Sequence, residues 1–233
     1  MKGISNGIRR LHNPFEGKEP SNQSSQAESQ NSNENGCHGD LKPTNILLFY
    51  DDIKAKPYGT LRISDAGLVK FYEKVTSQRV AGTTMASGTE EYAPPEFLYK
   101  KNQRTRAFDM WSLGCIFLEF VIWIRGGRCM LQEFRRSKKP VMPGVGPSIV
   151  CPFYEGTPPH ASPHPKIHTF ISSIRKNAQE QDDWLCRLLD IIEKHLLIAN
   201  PLDRFNSKQL DDELKAIIQK INKRPASAKP RPD

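Results

Sequence analysis

One stretch of the chain, from Phe108 to Ile124, constrains the fold more than any other. Its apolar residues lie all round a helix instead of along one face, which is typical of a helix buried on every side. The longest apolar run, Met110 to Ile124, is interrupted by Ser112 and Glu119 and is too short and too polar for a membrane span. The sequence therefore predicts a buried central helix around which other segments pack.

Several other segments show the apolar spacing of helices that cover such a core. Ile4 to His12, Ile167 to Ile174 and Asp182 to Leu197 each keep apolar residues at helical intervals. Asn206 and Gln209 form a capping-box pattern that opens a further predicted helix. The predicted fold class is mainly α.

A small β-hairpin is the predicted exception to the helical fold. The run from Ile46 to Tyr50 is apolar, and Leu61 to Ile63 alternates after a turn region that contains Pro57 and Gly59. Pairing of these two strands would bring the residues that follow Ile63 next to Asn45.

The 233 residues suit one domain with flanking segments. Residues 1–13 are interpreted as the end of a helix. Residues 14–36 form a polar segment that is predicted to be disordered, because it holds too few apolar side chains to offset the entropy of ordering. Residues 37–221 hold the predicted folded domain, and 222–233 form a basic, Pro-rich tail. Within the domain, Gly126 to Pro165 is rich in Pro and Gly and predicts irregular structure.

Charge and cysteine content bear on partners and location. The formal net charge is +8, but the positive residues form short runs without interleaved aromatic residues, so nucleic-acid binding is disfavoured. The five cysteines are an odd number without a Cys-x-x-Cys pair, which favours a reducing compartment. With no signal-peptide pattern at the start and no predicted membrane contact, the expected location is intracellular, cytoplasmic or nuclear.

The segment from His38 to Asn45 concentrates groups that suit phosphoryl transfer. Asp40 can orient an attacking hydroxyl and accept its proton, and Lys42 can neutralise charge on the transferred group. The amide oxygen of Asn45 can hold Mg²⁺. A polar turn that leads into a strand is the alternative interpretation of this segment taken alone.

Four motifs in sequence order resemble those of eukaryotic protein kinases. His38–Asn45 is similar to the catalytic loop H-R-D-L-x-x-x-N, with Gly39 in place of Arg. Asp65-Ala66-Gly67 resembles the metal-binding Asp-Phe-Gly motif. Ser87–Glu96 resembles the segment that ends in Ala-Pro-Glu. Phe108–Ile124, followed later by Asn200–Phe205, resembles the central helix and the Arg-bearing segment of the C-terminal lobe.

The resemblance implies ATP and Mg²⁺ as cofactors and a protein as substrate or partner. It implies that Asn45, Asp65 and Gly67 bind the cofactor, that Asn45 and Asp65 hold the metal ion, and that Thr89 contacts Asp40 and Lys42. It implies structural roles for the remaining site residues, which are His38, Glu96, Asp109 and Arg204. Glu96 is expected to pair with Arg204, and Asp109 to accept backbone N–H bonds from the catalytic loop.

The resemblance covers the C-terminal lobe only, from about His38 to Ile221. No G-x-G-x-x-G and no V-A-I-K occurs, so the ATP-binding small lobe is expected to be absent from this chain. Lys42 favours the Ser/Thr type. The segment His38–Pro43 and the ending Tyr92-Ala93-Pro94-Pro95-Glu96 resemble a divergent kinase group common in filamentous ascomycete fungi.

Two function classes follow. The first is a Ser/Thr protein kinase in a truncated form that is inactive by itself. The alternative is a non-catalytic pseudokinase C-lobe that acts as a protein-interaction module. An in-frame small lobe encoded upstream of Met1 would favour the first.

Overall fold

The computed structural model describes residues 1–14, 35–50, 59–65, 70–72, 90–97, 104–138, 153–179 and 182–223. The helices are α1 (Lys2–His12), α2 (Arg106–Ser137), α3 (Pro165–Lys176), α4 (Asp183–Ile191) and α5 (Ser207–Asn222). The strands are β1 (Asn35–Cys37), β2 (Ile46–Phe49), β3 (Thr60–Ile63), β4 (Lys70–Tyr72), β5 (Tyr154–Glu155) and β6 (Ser162–Pro163). The described part is therefore mainly helical, as predicted.

Helix α2 is the centre of the core. Trp111, Leu113, Ile116 and Phe117 on it are fully buried, which agrees with the all-round apolar pattern. By length and composition α2 could cross a membrane, but 78% of its apolar 18-residue stretch is buried inside the protein.

The sequence predicted that α2 ends near Ile124 and that irregular structure follows. This prediction is wrong for the residues up to Ser137, because the helix continues to that residue. Gly127 adopts φ 64° and ψ −162°, which is outside the helical region, and the chain then resumes a helix. Glycine tolerates this positive φ without a steric penalty. The bend lets Arg135 reach back to Glu119, at 2.6 Å between the guanidinium and the carboxylate.

Helix α1 packs on α5 through a polar contact as well as apolar ones. Asp211 of α5 is 2% exposed and accepts hydrogen bonds from the Ser5 hydroxyl at 2.9 Å and from Arg9 at 3.0 Å. The predicted capping box of α5 is present, since Asn206 and Gln209 each accept the other's backbone N–H. Helix α4 begins as predicted and passes into a π-helical turn, Ile192–Leu196.

The sheets are all two-stranded within the described residues. Strands β2 and β3 form the predicted antiparallel hairpin, with Ile46 opposite Ile63. Two further pairs, β1 with β4 and β5 with β6, were not predicted. Strand β1 starts at Asn35, inside the segment 14–36 that was predicted to be disordered, because its partner β4 supplies the hydrogen bonds.

Candidate active site

The predicted catalytic carboxylate lies in a loop between β1 and a 3₁₀ turn, Pro43–Asn45. Asp40 is 7% exposed. Its Oδ2 accepts a hydrogen bond from Lys42 Nζ at 2.8 Å, and the Asn45 amide donates to its backbone oxygen at 2.8 Å. Its Oδ1 is buried and finds no hydrogen-bond partner in the described residues. A buried carboxylate oxygen normally accepts a hydrogen bond, so the donor to Oδ1 is expected outside the described residues.

A carboxylate of the central helix α2 holds the loop through hydrogen bonds. Asp109 is fully buried, and its two oxygens accept the backbone N–H groups of His38 and Gly39, each at 2.8 Å. His12 of α1 makes a third contact, with 2.9 Å from its Nε2 to Asp109 Oδ2. The first turn of α2 is also a favourable place for a negative charge. Asp109 thus links α1, the loop and α2.

A second set of contacts joins the loop to the end of the hairpin. Ser64 donates its backbone N–H to the Asn45 carbonyl at 2.9 Å, and its own carbonyl contacts His38 Nε2 at 3.1 Å. Asp65 follows directly, is exposed and adopts φ 60°. Asx residues enter this left-handed region more readily than most. The hairpin therefore brings Asp65 beside Asn45, as predicted.

The donor set at this point fits Mg²⁺. Asn45 uses its amide nitrogen toward Asp40, so its side-chain oxygen is not consumed by that contact. The side-chain oxygens of Asn45 and Asp65 are hard ligands of the kind that Mg²⁺ takes from protein when phosphates and water complete its shell. No group of three or more His, Cys, Asp or Glu side chains forms a metal cluster in the described ranges.

A cavity of about 610 Å³ opens on the α1 side of Asp65. Its lining includes Arg10 of α1 and Arg62 of β3, together with His38. Asp40, Lys42 and Asn45 do not line it. The cavity therefore adjoins the candidate active site without containing the catalytic carboxylate.

Comparison with known proteins adds to this geometry. Residues 32–128 match the protein kinase domain. A probable serine/threonine-protein kinase HAL5-like from Eremothecium gossypii is 32% identical over 123 residues, which is 52% of this chain and 14% of that protein. Mitogen-activated protein kinase 4 of Homo sapiens is 26% identical over 188 residues, 75% of this chain and 27% of that protein. Cyclin-dependent kinase E-1 of Arabidopsis thaliana is 37% identical over 84 residues, 36% of this chain and 16% of that protein.

The similarity to protein kinases therefore covers one part of the chain, residues 32–128. The chain spans between about one seventh and one quarter of the length of these curated relatives. The matched kinase region contains β1, the loop with Asp40, the hairpin, and α2 as far as the bend at Gly127.

The kinase-like ion pair expected between Glu96 and Arg204 is formed. The guanidinium contacts both carboxylate oxygens, at 2.6 and 2.8 Å, and its side chain is fully buried. Arg204 also donates to the carbonyls of Ile198, Ala107 and Ala199. A buried charge pair of this kind stabilises only when every donor is satisfied, as it is here.

Gly39, which replaces the Arg of the kinase motif, is covered by another arginine. It adopts φ +73°, and a Cβ added there would lie 2.5 Å from Cδ of Arg104. The Arg104 guanidinium is 5.5 Å from the centre of the Phe97 ring, and its Nε is buried without a partner in the described residues. Sequence reasoning missed Arg104, because it lies far from the loop along the chain and in no motif.

A buried network around Glu119 was also missed. Glu119 is 2% exposed on the apolar helix and accepts hydrogen bonds from Arg135 and, at 3.0 Å, from the Tyr92 hydroxyl. Burial, with the Glu119 charge, raises the pKa of Tyr92. The hydrogen bond that Arg135 donates to Glu119 raises the pKa of Arg135. A carboxylate inside an otherwise apolar helix was the available signal that such a partner exists.

Two predicted site residues, Gly67 and Thr89, lie outside the described residues, as does Ala66. From the predicted set, the structure brings together Asp40, Lys42 and Asn45, and the hairpin joins Ser64, the residue before Asp65, to Asn45. His38 and Asp109 are hydrogen-bonded to each other and hold the loop that carries Asp40. Glu96 and Arg204 form a separate ion pair.

Proposed function

We propose that this chain carries the catalytic half of a Ser/Thr protein kinase, which transfers the terminal phosphoryl group of ATP to a protein hydroxyl. The observation that carries the proposal is the state of Asp40. One of its oxygens is held by Lys42, and the other is buried and unpaired within the described residues. A substrate hydroxyl that donates to Oδ1 would satisfy that oxygen and be oriented by it.

Each residue then has a separate task. Asp40 accepts the hydroxyl proton as the substrate oxygen attacks the phosphorus. Lys42, whose ammonium is 2.8 Å from Asp40 Oδ2, offsets the negative charge that gathers beside it. Asn45 and Asp65 would hold Mg²⁺, which when bound neutralises the phosphate oxygens. Asp109 keeps the loop in place through His38 and Gly39.

We further propose that these 233 residues do not catalyse the reaction alone. The sequence contains no G-x-G-x-x-G and no V-A-I-K, the groups that cover and position the nucleotide phosphates in kinases. Asp40, Lys42, Asn45 and Asp65 contact a nucleotide from one side. Because phosphoryl transfer depends on positioning and electrostatics, a half-cleft open to water provides little acceleration.

The alternative is an interaction module without catalysis. Strand β2 exposes Leu47, Leu48 and Phe49, with Tyr50 directly after it, to between 36% and 57%. A row of exposed apolar side chains beside the site favours binding of another protein segment at this surface. Either a nucleotide-binding lobe or a separate partner protein could cover these apolar side chains. The exposed surface therefore does not separate the two function classes, whereas catalytic activity does.

A transfer assay separates the two classes. The chain is joined downstream of an ATP-binding small lobe and supplied with radiolabelled ATP, Mg²⁺ and Ser/Thr peptides. We expect transfer that Asp40→Asn abolishes and that the exposed control Asp212→Asn leaves intact. Absence of transfer, while Mg·ATP still binds and the fusion is folded, would favour the interaction module.

A further inference from the structure

A serine, a histidine and a glutamate form a connected set of polar contacts on the surface made by α3 and the π-helical turn Ile192–Leu196. His168 Nδ1 lies 2.8 Å from Glu193 Oε1, and Ser172 Oγ lies 3.4 Å from His168 Nε2. Ser172 follows His168 by four residues in α3, so the two side chains are on the same face of the helix. None of the three residues belongs to the candidate active site.

The contact with Glu193 determines which nitrogen of His168 can act as a base. An ionised carboxylate only accepts hydrogen bonds, so the neutral imidazole carries its proton on Nδ1 and donates it to Glu193. The lone pair of Nε2 is then available to the Ser172 hydroxyl. This order of nucleophile, base and orienting carboxylate activates a serine in nucleophilic catalysis. The Oγ–Nε2 distance exceeds the usual range of about 2.6–3.2 Å, as it often does without substrate.

Glu193 is itself held in place by neighbouring charges. Its second oxygen accepts a hydrogen bond from Arg175 at 2.7 Å, and Arg175 also donates to Asp190 at 2.9 Å. Lys194 adds a cation 2.9 Å from Asp190. The Glu193 side chain is 20% exposed, whereas that of His168 is 76% exposed. The carboxylate is therefore fixed, while the ring that it orients is open to a molecule from solution.

We propose that Ser172, His168 and Glu193 form a second catalytic site, which hydrolyses carboxylic esters that have a good leaving group. Ser172 Oγ attacks the ester carbonyl carbon while His168 Nε2 takes the hydroxyl proton. Collapse of the tetrahedral intermediate breaks the bond to the leaving alcohol or phenol, which receives that proton, and an acyl group remains on Ser172. Water then attacks the acyl-serine with His168 as base, the carboxylic acid is released, and Ser172 Oγ regains a proton.

The exposure of the site determines which esters react. Water around Ser172 and His168 weakens the electrostatic stabilisation that a protein can give to the tetrahedral oxyanion. Lys176, which is exposed and four residues after Ser172, adds one cation to the same helical face. An ester that releases a stable anion needs little of this stabilisation. Aryl esters are therefore the expected substrates, and alkyl esters and peptide bonds are not.

Hydrolysis of para-nitrophenyl acetate by the full chain tests the proposal. Release of nitrophenol is expected to fall by about tenfold or more with Ser172→Ala. Ser173→Ala, at the adjacent exposed serine on a different face of α3, is expected to change nothing. Ser172→Cys keeps a nucleophile at this position and is expected to retain the reaction. Equal rates for the wild type, Ser172→Ala and Ser173→Ala would overturn the proposal.

The acyl intermediate and the base have their own tests. After a rapid acid quench, mass spectrometry is expected to find an acetyl group on the peptide that contains Ser172. His168→Gln is expected to slow the reaction as much as Ser172→Ala, whereas His160→Gln, at another exposed histidine, does not. A rate that falls with His168→Gln but not with Ser172→Ala would mean that the imidazole attacks the ester itself. That result would overturn the proposed site.

Glu193 acts through His168, so its role is tested by a pH profile. Glu193→Gln removes the negative charge beside the imidazole, and the ring should then lose its proton at lower pH. The rise of the rate with pH is expected to move to lower pH, with a lower plateau. Glu213→Gln, whose carboxylate lies 3.7 Å from Arg187 instead, is expected to move neither. An unchanged profile for Glu193→Gln would contradict the positioning role of Glu193. The site shares no group with the proposed kinase chemistry, so the two proposals succeed or fail separately.

Discussion

The carboxylate of Asp109 accepts the backbone N–H of Gly39 at 2.8 Å, across 70 residues of sequence. The same carboxylate accepts the N–H of His38 and contacts His12, and it is fully buried. The position of the catalytic loop therefore depends on one side chain of the central helix. A change at Asp109 is therefore expected to alter the position of Asp40 through His38 and Gly39.

Asp109→Asn is expected to loosen the loop. The amide keeps the shape but has a single acceptor oxygen, so one of the two loop N–H groups loses its partner, at about 1–3 kcal/mol. Amide hydrogen exchange should accelerate at His38 or Gly39 by roughly ten- to hundredfold. Asp203→Asn, at an exposed site outside this contact, serves as the control. Unchanged exchange at both loop amides would show that Asp109 does not hold them.

The Glu96–Arg204 pair is expected to be structural. Removal of either partner leaves a buried, uncompensated charge, at a cost on the order of 3–5 kcal/mol. Arg204→Ala and Glu96→Ala should each lower the denaturant midpoint clearly, and the double variant should lose much less than the sum. The exposed pair Lys208–Asp212, 2.7 Å apart, should show almost no effect in the same cycle. An additive double variant would mean that Glu96 and Arg204 stabilise independently.

Gly39→Ala is expected to destabilise the fold through two causes. The positive φ of +73° costs a residue with Cβ about 1–2 kcal/mol, and the new Cβ meets Arg104. Adding Arg104→Ala to Gly39→Ala should remove the destabilisation that comes from the clash with Arg104. The destabilisation that comes from the positive φ should persist. Chemical denaturation of the two single variants and the double variant measures this. If the two changes add within about 0.5 kcal/mol, the side chains do not interact.

Asp211 is expected to make the docking of α1 on α5 sensitive to acid. Burial acts to raise the pKa of Asp211, but hydrogen bonds from Lys215, Arg9 and Ser5 outweigh it and hold the pKa below its usual value. A lowered folded-state pKa means that these contacts stabilise fully above the unfolded pKa of about 3.9, and that the gain is lost as pH falls through the folded value.

Asp211→Asn should therefore lower the melting temperature at neutral pH by roughly 3–12 °C, from about 1.5–3 kcal/mol for hydrogen bonds to a charged group. The difference from the wild type should shrink when the pH falls below about 4. Asp212→Asn, at the neighbouring exposed position, gives the control. A difference that persists unchanged into acid would mean that the Asp211 charge does not contribute.

Local patterns predicted the helices and the hairpin because those elements are encoded by residues close in sequence. Trp111 and Phe117 belong to one apolar run, and Asn206 and Gln209 form the capping box of α5. The end of α2 was mispredicted, because the glycines after Ile124 suggested a stop, whereas Gly127 makes a bend. Strands β1 and β4 have three residues each, so their pairing across the chain left no periodic signal.

The difference between local sequence patterns and long-range contacts also explains which site residues were predicted from the sequence. Asp40, Lys42 and Asn45 lie within one short loop, and their residue types indicated their chemistry. His12 and Arg104 contact that loop from distant parts of the chain. Such contacts depend on tertiary packing, which a single sequence does not display.

Titration of the isolated chain with Mg·ATP, followed by amide NMR, tests directly whether Asn45 and Asp65 belong to a phosphoryl-transfer site. Weak binding is expected, with Kd no better than about millimolar or roughly −4 kcal/mol, because these groups would contact the nucleotide from one side only. The largest shift changes should occur at Asn45 and Asp65 and should disappear with Asp65→Asn, while the surface control Asp212→Asn retains them. Shift changes confined to other regions, or micromolar binding that Asp65→Asn leaves intact, would contradict the assignment of these residues to a phosphoryl-transfer site.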